Sequence, residues 1–453
     1  MIPDPAALRT FLAAATAART FAASGLHHID EPLAGEPSIE EVRRRRLRRA
    51  IEPGIGYLSL LRDDEGLLRW EIDTGPSVRP VPEIRASRRG IRTLGLVEQF
   101  KFDMVQGSQV SSFLQGLDDA FNSVQGLRRR SALGTDSGPA RPIRKGRILL
   151  VVHGTFSKGD ALFEGLLSTK EGKSLLRDAA KQYDQVMSFE HATLSVSPIL
   201  NALDLARAFA GSSAQVDIVC HSRGGLVARW WLEVLNTAGT AARRVVFVGS
   251  PLQGTSIASP LRLRTALNLM TNVIVGMQAA GQLASLAVPL FGVVAGLMKL
   301  ITSVSGFGAR TPVIDAAVAM IPGLSAQSRR GLAGTQQITG SFELDRLSTG
   351  VSKMPDTYFA VKTDFEPTDP AWAFWKYFMK PGERLSDFGA DLVFPDANDL
   401  LVDTASMDAL SDLVKIEGPR AVLDFGKSPI VHHLNYFAQP EVAAFIRQSL
   451  AVR

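Results

Sequence analysis

Cysteine is almost absent from this 453-residue chain. A single cysteine, Cys220, excludes an intramolecular disulfide, so nothing in the sequence requires an oxidising compartment. A cleavable secretory signal is also hard to find, because residues 1–5 lack a basic segment and Arg9 and Arg19 interrupt the apolar stretch that follows. We therefore expect a cytoplasmic protein, or one that is exported without a cleaved signal peptide.

The excess of positive charge is small, since 50 lysines and arginines face 45 acidic residues, for a net charge of +5. The arginines nevertheless cluster at 43–49 and at 128–130. Either cluster could contact anionic lipid or nucleic acid, but a solvated basic helix face is the favoured interpretation. No nucleic-acid-binding module accompanies them, so we expect no nucleic-acid partner, whereas contact with a membrane surface is left open. The sequence also offers no cluster of zinc ligands, and we expect neither a metal nor an organic cofactor.

Charged residues are missing altogether from 265–298, a stretch long enough to cross a bilayer. Asparagines, glutamines and Pro289 interrupt it, which favours the helices of a buried cap over a transmembrane hairpin. We predict a helical cap or lid at about 260–335, and contact with a lipid surface is compatible with either interpretation.

Composition divides the chain near 131–142, where serine, glycine, proline and alanine are typical of a linker. Residues 1–140 predict an additional α+β region of helices and a β-hairpin, in which no motif points to chemistry. Residues 145–453 predict short apolar strands that alternate with helices, the pattern of a mostly parallel, doubly wound α/β sheet. Within them, 364–397 is rich in aromatic residues and predicts a packed insertion.

One predicted strand, 216–220, runs directly into a serine that is followed by glycine. A pattern of helical period begins immediately after this turn. Such a turn would hold Ser222 above the sheet, over a helix N-terminus, with the N–H group of Arg223 free to face a developing oxyanion. In the alternative, Ser222 is only a turn residue or a helix cap, which the flanking strand and helix disfavour.

A serine nucleophile requires a base, and the base requires an acid that orients it. Five of the seven histidines precede the sheet or lie in its early turns, which leaves His432 and His433 in a loop after the last predicted strand. Because adjacent side chains usually diverge, only one of the two should reach Ser222, and we favour His433.

The acid should lie between the strand near residue 357 and this histidine loop. Asp399 is the favoured candidate, and Asp364 and Asp403 are the alternatives. Nucleophile, acid and base then follow one another in the order serine, aspartate, histidine.

These motifs resemble the lipase and esterase branch of the α/β-hydrolase superfamily. His-Gly-Thr-Phe at 153–156 is similar to the HG oxyanion motif, Cys-His-Ser-Arg-Gly at 220–224 to the nucleophile elbow, and 249–255 to a strand-end segment common in bacterial lipases. The resemblance covers about 145–450 and departs from the elbow pattern at Cys220, where glycine is usual. It implies an α/β-hydrolase fold, with Asp399 as acid and His433 as base.

The resemblance thus implies a serine hydrolase that cleaves carboxylic esters of acyl or lipid-like substrates through an acyl-enzyme. The backbone N–H groups of Arg223 and Thr155 would receive the oxyanion. Acyl transfer or thioester cleavage by the same residues is one alternative, and a non-catalytic interaction module on the same scaffold is another.

Overall fold

A computed structural model describes most of the chain. The described residues are 5–29, 54–63, 66–73, 95–235, 241–258, 263–279, 284–305, 342–349, 357–368 and 396–452. They form two compact units. One unit combines the described residues up to Phe121 with those in 263–305, and the other contains the described residues of 122–258, 342–368 and 396–452.

The strands and helices are numbered in chain order. The strands are β1 (His27–His28), β2 (Ile55–Arg62), β3 (Leu68–Asp73), β4 (Gly95–Asp103), β5 (Gly126–Arg130), β6 (Asp136–Pro139), β7 (Arg147–Val152), β8 (Gln185–Glu190), β9 (Gln215–His221), β10 (Ala241–Val248), β11 (Tyr358–Phe365) and β12 (Val422–Ser428). The α-helices are α1 (Pro5–Thr16), α2 (Arg19–Ser24), α3 (Val110–Phe121), α4 (Gly159–Leu167), α5 (Lys170–Gln182), α6 (Pro198–Ala208), α7 (Gly224–Arg229), α8 (Leu263–Ala279), α9 (Ala284–Ser305), α10 (Phe342–Thr349) and α11 (Pro440–Leu450).

The larger unit is built on an eight-stranded sheet of order β12-β11-β10-β9-β7-β8-β5-β6. The strands from β12 to β8 are parallel to their neighbours, and β5 and β6 complete one edge in antiparallel pairing. Along β9, Val216 and Ile218 pack with α6 and α7, whereas Val219 packs on the opposite face with α4, α5 and α11. The predicted mostly parallel α/β sheet, covered by helices on both faces, is confirmed.

The order of the strands reverses in the middle of this sheet. From β7 the chain proceeds to β8 on one side and then to β9 on the other. The loops that follow the carboxyl ends of two such strands diverge to opposite faces and leave a crevice, which is where ligands bind in open α/β sheets. The loop after β7 begins at His153, and the turn after β9 contains Ser222.

The division between the units lies earlier than the predicted boundary. It falls between Phe121 and Asn122, and the stretch 131–142 contains β6 together with the turn that joins it to β5. Composition alone cannot distinguish a hairpin turn from a linker between domains, because both use the same small and polar residues.

The interpretation of 128–130 as a solvated basic helix face is wrong. These residues belong to strand β5, and alternate side chains of a strand point to opposite sides. Arg128 pairs with Asp136, and the side chain of Arg130 is only 1% exposed. The other basic cluster, at 43–49, lies outside the described residues.

The smaller unit contains a four-stranded antiparallel sheet of order β1-β4-β2-β3, in which β2 and β3 form the predicted hairpin. Helices α8 and α9, from the segment predicted as a cap, belong to this unit. Asn268 and Asn272 accept hydrogen bonds from the backbone N–H groups of Trp70 and Leu68, each at 2.9 Å. The polar residues that interrupt the apolar stretch therefore bind an edge strand, whose backbone groups would otherwise lack partners.

One described helical window, Leu286–Ser303, is long and apolar enough to cross a membrane, and 83% of it is buried inside the protein. It belongs to α9, which packs on α2 and α8. The segments 260–262, 280–283 and 306–335 of the predicted cap lie outside the described residues, as does most of the predicted aromatic insertion, 369–395.

Gly292 allows α9 to approach α2 closely. A Cβ atom at this position would lie 2.5 Å from Thr20 Oγ1 and 2.6 Å from the Phe21 backbone nitrogen. We expect Gly292→Val to lower the free energy of unfolding by about 1–3 kcal/mol, because backbone cannot yield to the added atoms. Gly116→Ala on α3, where an added Cβ meets nothing within 4 Å, should instead leave stability unchanged or raise it by up to about 1 kcal/mol. Chemical denaturation measures both, and equal stability of the two variants would contradict the close packing.

Candidate active site

Ser222 occupies the sharp turn between β9 and α7. Its φ is 53°, a left-handed backbone conformation that residues other than glycine rarely adopt. Its N–H group donates to Val248 O at 3.0 Å. Strained backbone of this kind clusters at functional sites. Two glycines let α7 start directly above the sheet, because an added Cβ would lie 2.4 Å from Val152 O at Gly224 and 2.5 Å from a serine Oγ at Gly225. The residues after Ser222 therefore suit the turn that the sequence predicted.

The loop after β7 lies against this turn. An added Cβ at Gly154 would stand 2.5 Å from Ser222 Cβ and 2.9 Å from His221 O. Thr155 follows Gly154 in the chain, so both predicted oxyanion donors, Thr155 and Arg223, are adjacent to residues that form the contact. The Arg223 side chain is fully buried and donates to Val196 O, in the loop after β8.

His153 fixes the peptide group between Gly154 and Thr155 in that loop. Its Nδ1 lies 3.0 Å from Gly154 O, and its Nε2 lies 3.2 Å from the backbone nitrogen of His191. Since a carbonyl only accepts and an N–H group only donates, Nδ1 carries the proton and Nε2 accepts. Burial lowers the pKa of His153, which keeps the ring neutral. The Gly154 carbonyl is thereby held, and with it the direction of the Thr155 N–H group in the same planar peptide.

His433 and Asp399 form a buried pair. Nδ1 of His433 lies 2.8 Å from Oδ2 of Asp399, and the two side chains are 3% and 0% exposed. The His433 backbone N–H also donates to Asp399 O at 2.8 Å. A carboxylate only accepts, so Nδ1 donates to it, and Nε2 is the ring nitrogen that is left to take a proton. This tautomer suits a general base.

Four donors surround the Asp399 carboxylate. Oδ1 accepts from the N–H groups of Leu401 and Val402 at 3.2 and 2.9 Å, and Oδ2 accepts from the Tyr436 hydroxyl at 3.0 Å as well as from His433. Burial and the neighbouring carboxylate raise the pKa of Tyr436 well above its ordinary value, so the hydroxyl remains a donor. These bonds offset the cost of burying the carboxylate.

His221 joins the serine turn to the histidine loop. Its Nε2 donates to His433 O at 3.0 Å, and the two imidazole rings lie 4.7 Å apart between centroids. Burial and the nearby His433 lower the pKa of His221 well below its ordinary value, so its ring stays neutral. The turn after β10 closes the other side, because an added Cβ at Gly249 would stand 3.0 Å from Asp399 Oδ2.

The alternative acids and base have other surroundings. Asp403 accepts from both the backbone N–H and the hydroxyl of Ser256, at 2.8 and 3.0 Å. Asp364 lies near the end of β11, where burial and Glu366 raise its pKa. The His432 ring packs edge-on against Phe365, at 5.2 Å between centroids.

Local sequence reasoning missed Tyr436 and His221 as partners of the pair. Tyr436 lies three residues after His433, and His221 immediately precedes Ser222, so proximity in the chain was the available signal. Among the residues that the structure describes, no group of three or more His, Cys, Asp or Glu side chains could hold a metal ion.

The burial of His432 predicts that the folded protein loses stability in acid. Burial, assisted by His433, lowers the pKa of His432 to about 3 from an ordinary 6.5. Between these values the unfolded chain binds a proton that the folded chain does not, so the free energy of unfolding falls as the pH falls, by up to about 1.4 kcal/mol per pH unit for this group. We expect His432→Asn to flatten the decline measured by urea denaturation at pH 7, 6 and 5. His27→Asn, the same substitution at an exposed histidine, is the control, and an equal slope in both variants would contradict the assignment.

The described residues thus define an α/β protein with a strained serine turn and a buried histidine–aspartate pair, which lie at the carboxyl ends of the central strands β9 and β10. The model of a family described as a domain of unknown function, DUF7379, matches residues 120–451, and the chain belongs to this family. No curated protein sequence matches the chain.

Several solved structures are similar to it. Lipase 1 from Pelosinus fermentans is 14% identical, with a TM-score of 0.39, over 68% of this chain and 98% of that one. The Bacillus licheniformis lipase BlEst2 in its propeptide form is 13% identical, with a TM-score of 0.35, over 73% of this chain and 54% of that one. A structure described among novel epoxide hydrolases of the α/β hydrolase superfamily, from metagenomes of hot environments, is 12% identical, with a TM-score of 0.30, over 73% of this chain and all of that one.

Proposed function

We propose that the chain is a serine hydrolase that cleaves carboxylic esters through an acyl-enzyme. Ser222 is the nucleophile, His433 the base and Asp399 the acid that orients it. The observation that carries the proposal is the buried 2.8 Å bond between His433 and Asp399, in a loop that is bonded to the residue immediately before Ser222. A serine on a strained turn and an imidazole oriented by a buried carboxylate are the groups that nucleophilic acyl transfer requires.

In this mechanism, Ser222 Oγ attacks the ester carbonyl carbon while Nε2 of His433 takes its proton. Asp399 stabilises the imidazolium, and the N–H groups of Thr155 and Arg223 donate to the oxyanion. The leaving alcohol then takes the proton from His433, and the acyl group remains on Ser222. A water molecule, deprotonated by the same imidazole, releases the carboxylic acid and restores the serine.

We further propose an acyl or lipid-like ester as the substrate of an enzyme that is cytoplasmic or exported without a cleaved signal peptide. Offering p-nitrophenyl esters of graded acyl length, with and without lipid micelles, defines the preferred acyl chain. Adding an alcohol acceptor or an acyl thioester to the same assay distinguishes hydrolysis of esters from acyl transfer and from thioester cleavage.

Labelling by a fluorophosphonate tests the nucleophile directly. This reagent phosphonylates a serine only where a base and oxyanion donors activate the hydroxyl. We expect one label per chain, located on Ser222 by peptide mass spectrometry. Ser250→Ala, which removes the buried serine after β10, is the matched control and should label like the wild type. Absence of the label, or a label on another residue of the folded protein, would contradict the proposal.

A further inference from the structure

A buried ion pair lies next to the loop after β7 and plays no part in the proposed mechanism. Arg130 Nη2 donates to Glu190 Oε1 at 2.8 Å, and the two side chains are 1% and 5% exposed. Arg130 also bonds to Ser188 Oγ at 2.8 Å and to the carboxylate of Asp160, and it lies over the ring of Phe163. The guanidinium thus connects β5, the second strand from this edge of the sheet, to β8 and to the first turn of α4.

Glu190 links the ion pair to the two ends of the loop after β7. Its Oε2 accepts from the N–H group of Gly159, the first residue of α4, at 3.0 Å, and lies 3.5 Å from His153 Nε2. An added Cβ at Gly159 would stand 2.2 Å from Glu190 Oε1 and 2.8 Å from Arg130 Nη2. The pair is therefore packed directly against the end of the loop, and His153 holds the beginning.

We propose that the Arg130–Glu190 pair is a positioning device, which clamps residues 153–158 so that the Thr155 N–H group keeps its direction toward the oxyanion. This inference rests on the proposed function, because the role of Thr155 belongs to it. The pair contacts no reacting atom, so Arg130 and Glu190 are positioning residues and not catalytic ones.

Stability alone gives little reason for such a pair. Replacing a buried ion pair by apolar side chains of similar volume is often neutral or stabilising, whereas removal of one partner is costly. What a bidentate or forked set of charged bonds provides is fixed geometry. Here that geometry joins three separate segments around one short loop: the strand β5, the end of β8 and the start of α4.

A carboxylate suits position 190 because its two oxygens accept three hydrogen bonds. Gly159 N–H, Arg130 and the Ser188 hydroxyl all donate to Glu190. A glutamine would turn its NH₂ group toward Arg130 or toward Gly159, and in either orientation the NH₂ donor faces another donor. Glu190→Gln keeps the shape of the side chain and breaks the clamp.

The experiment compares the wild type, Glu190→Gln and Asp136→Asn as full chains. Asp136→Asn weakens the neighbouring pair Arg128–Asp136, which joins β5 to β6 and does not contact the loop. We expect Glu190→Gln to lower kcat for p-nitrophenyl butyrate by about ten- to hundredfold with KM nearly unchanged, since the oxyanion forms only in the transition state. Backbone amides of 154–159 should exchange hydrogen about tenfold faster or more. Asp136→Asn should behave as the wild type in both measurements.

Unchanged amide exchange in folded Glu190→Gln overturns the clamp, and faster exchange with an unchanged kcat overturns its positioning role. Equal losses in Asp136→Asn also overturn it. If Glu190→Gln fails to fold, Arg130→Lys, which keeps the charge without the fork, takes its place under the same criteria. A wild type that neither turns over the ester nor labels at Ser222 refutes the proposed function separately, and amide exchange then decides whether the clamp exists.

Discussion

Ser222→Ala is expected to lower kcat for p-nitrophenyl butyrate by roughly a thousandfold or more while KM changes little. Without Oγ the acyl-enzyme cannot form, and the remaining rate comes from substrate binding and the oxyanion donors. Folding should be unaffected, because the hydrogen bond from residue 222 to Val248 O is donated by the backbone N–H group. Alanine also has a Cβ atom, as serine does, so the backbone strain at φ 53° is the same in both. Initial rates and thermal unfolding of the same preparation measure both effects.

The matched control is Ser250→Ala, in which another buried serine at a strand end loses its hydroxyl. It should retain most of the wild-type kcat, because Ser250 supports the packing of Gly225 and has no proposed role in the reaction. Turnover in Ser222→Ala equal to that of the wild type would show that another group performs the hydrolysis.

Local features of the fold could be predicted where a short stretch contains its own signal. The apolar strand before Ser222 and the helical period after it define the turn, because strand and helix periods differ over a few residues. The assignment of Ser222, Asp399 and His433 as candidates could also be made, because each follows a predicted strand and they occur in the order serine, acid, base. Their hydrogen bonds could not be predicted, since Asp399 and Tyr436 meet only through folding.

Features that depend on distant contacts were not predicted. The sequence around Arg130 does not distinguish a buried arginine from a solvated one. Only the partner Glu190, 60 residues away, explains why Arg130 is buried. Asn268 and Trp70 are bonded across 198 residues, so the sequence showed an interrupted apolar stretch but not the edge strand that it binds. Tertiary contacts of this kind override local propensity and composition.

Asp399→Asn is expected to lower kcat by about 10³–10⁴-fold with little change in structure. Oδ1 accepts from the backbone N–H groups of Leu401 and Val402, so the amide oxygen of asparagine must take that place. The NH₂ group then faces His433 and donates to Nδ1. The imidazole is left with its proton on Nε2, the nitrogen that has to accept the proton of Ser222.

Asp364→Asn is the matched control, since it makes the same chemical change at the alternative acid near the end of β11. We expect it to keep wild-type kcat, whereas Asp399→Asn should lose fluorophosphonate labelling at Ser222 in parallel with turnover. Tyr436 would then face an NH₂ group in place of a carboxylate oxygen, so a modest loss of thermal stability should accompany the change. Full activity of Asp399→Asn together with an inactive, folded Asp364→Asn would transfer the role of the acid to Asp364.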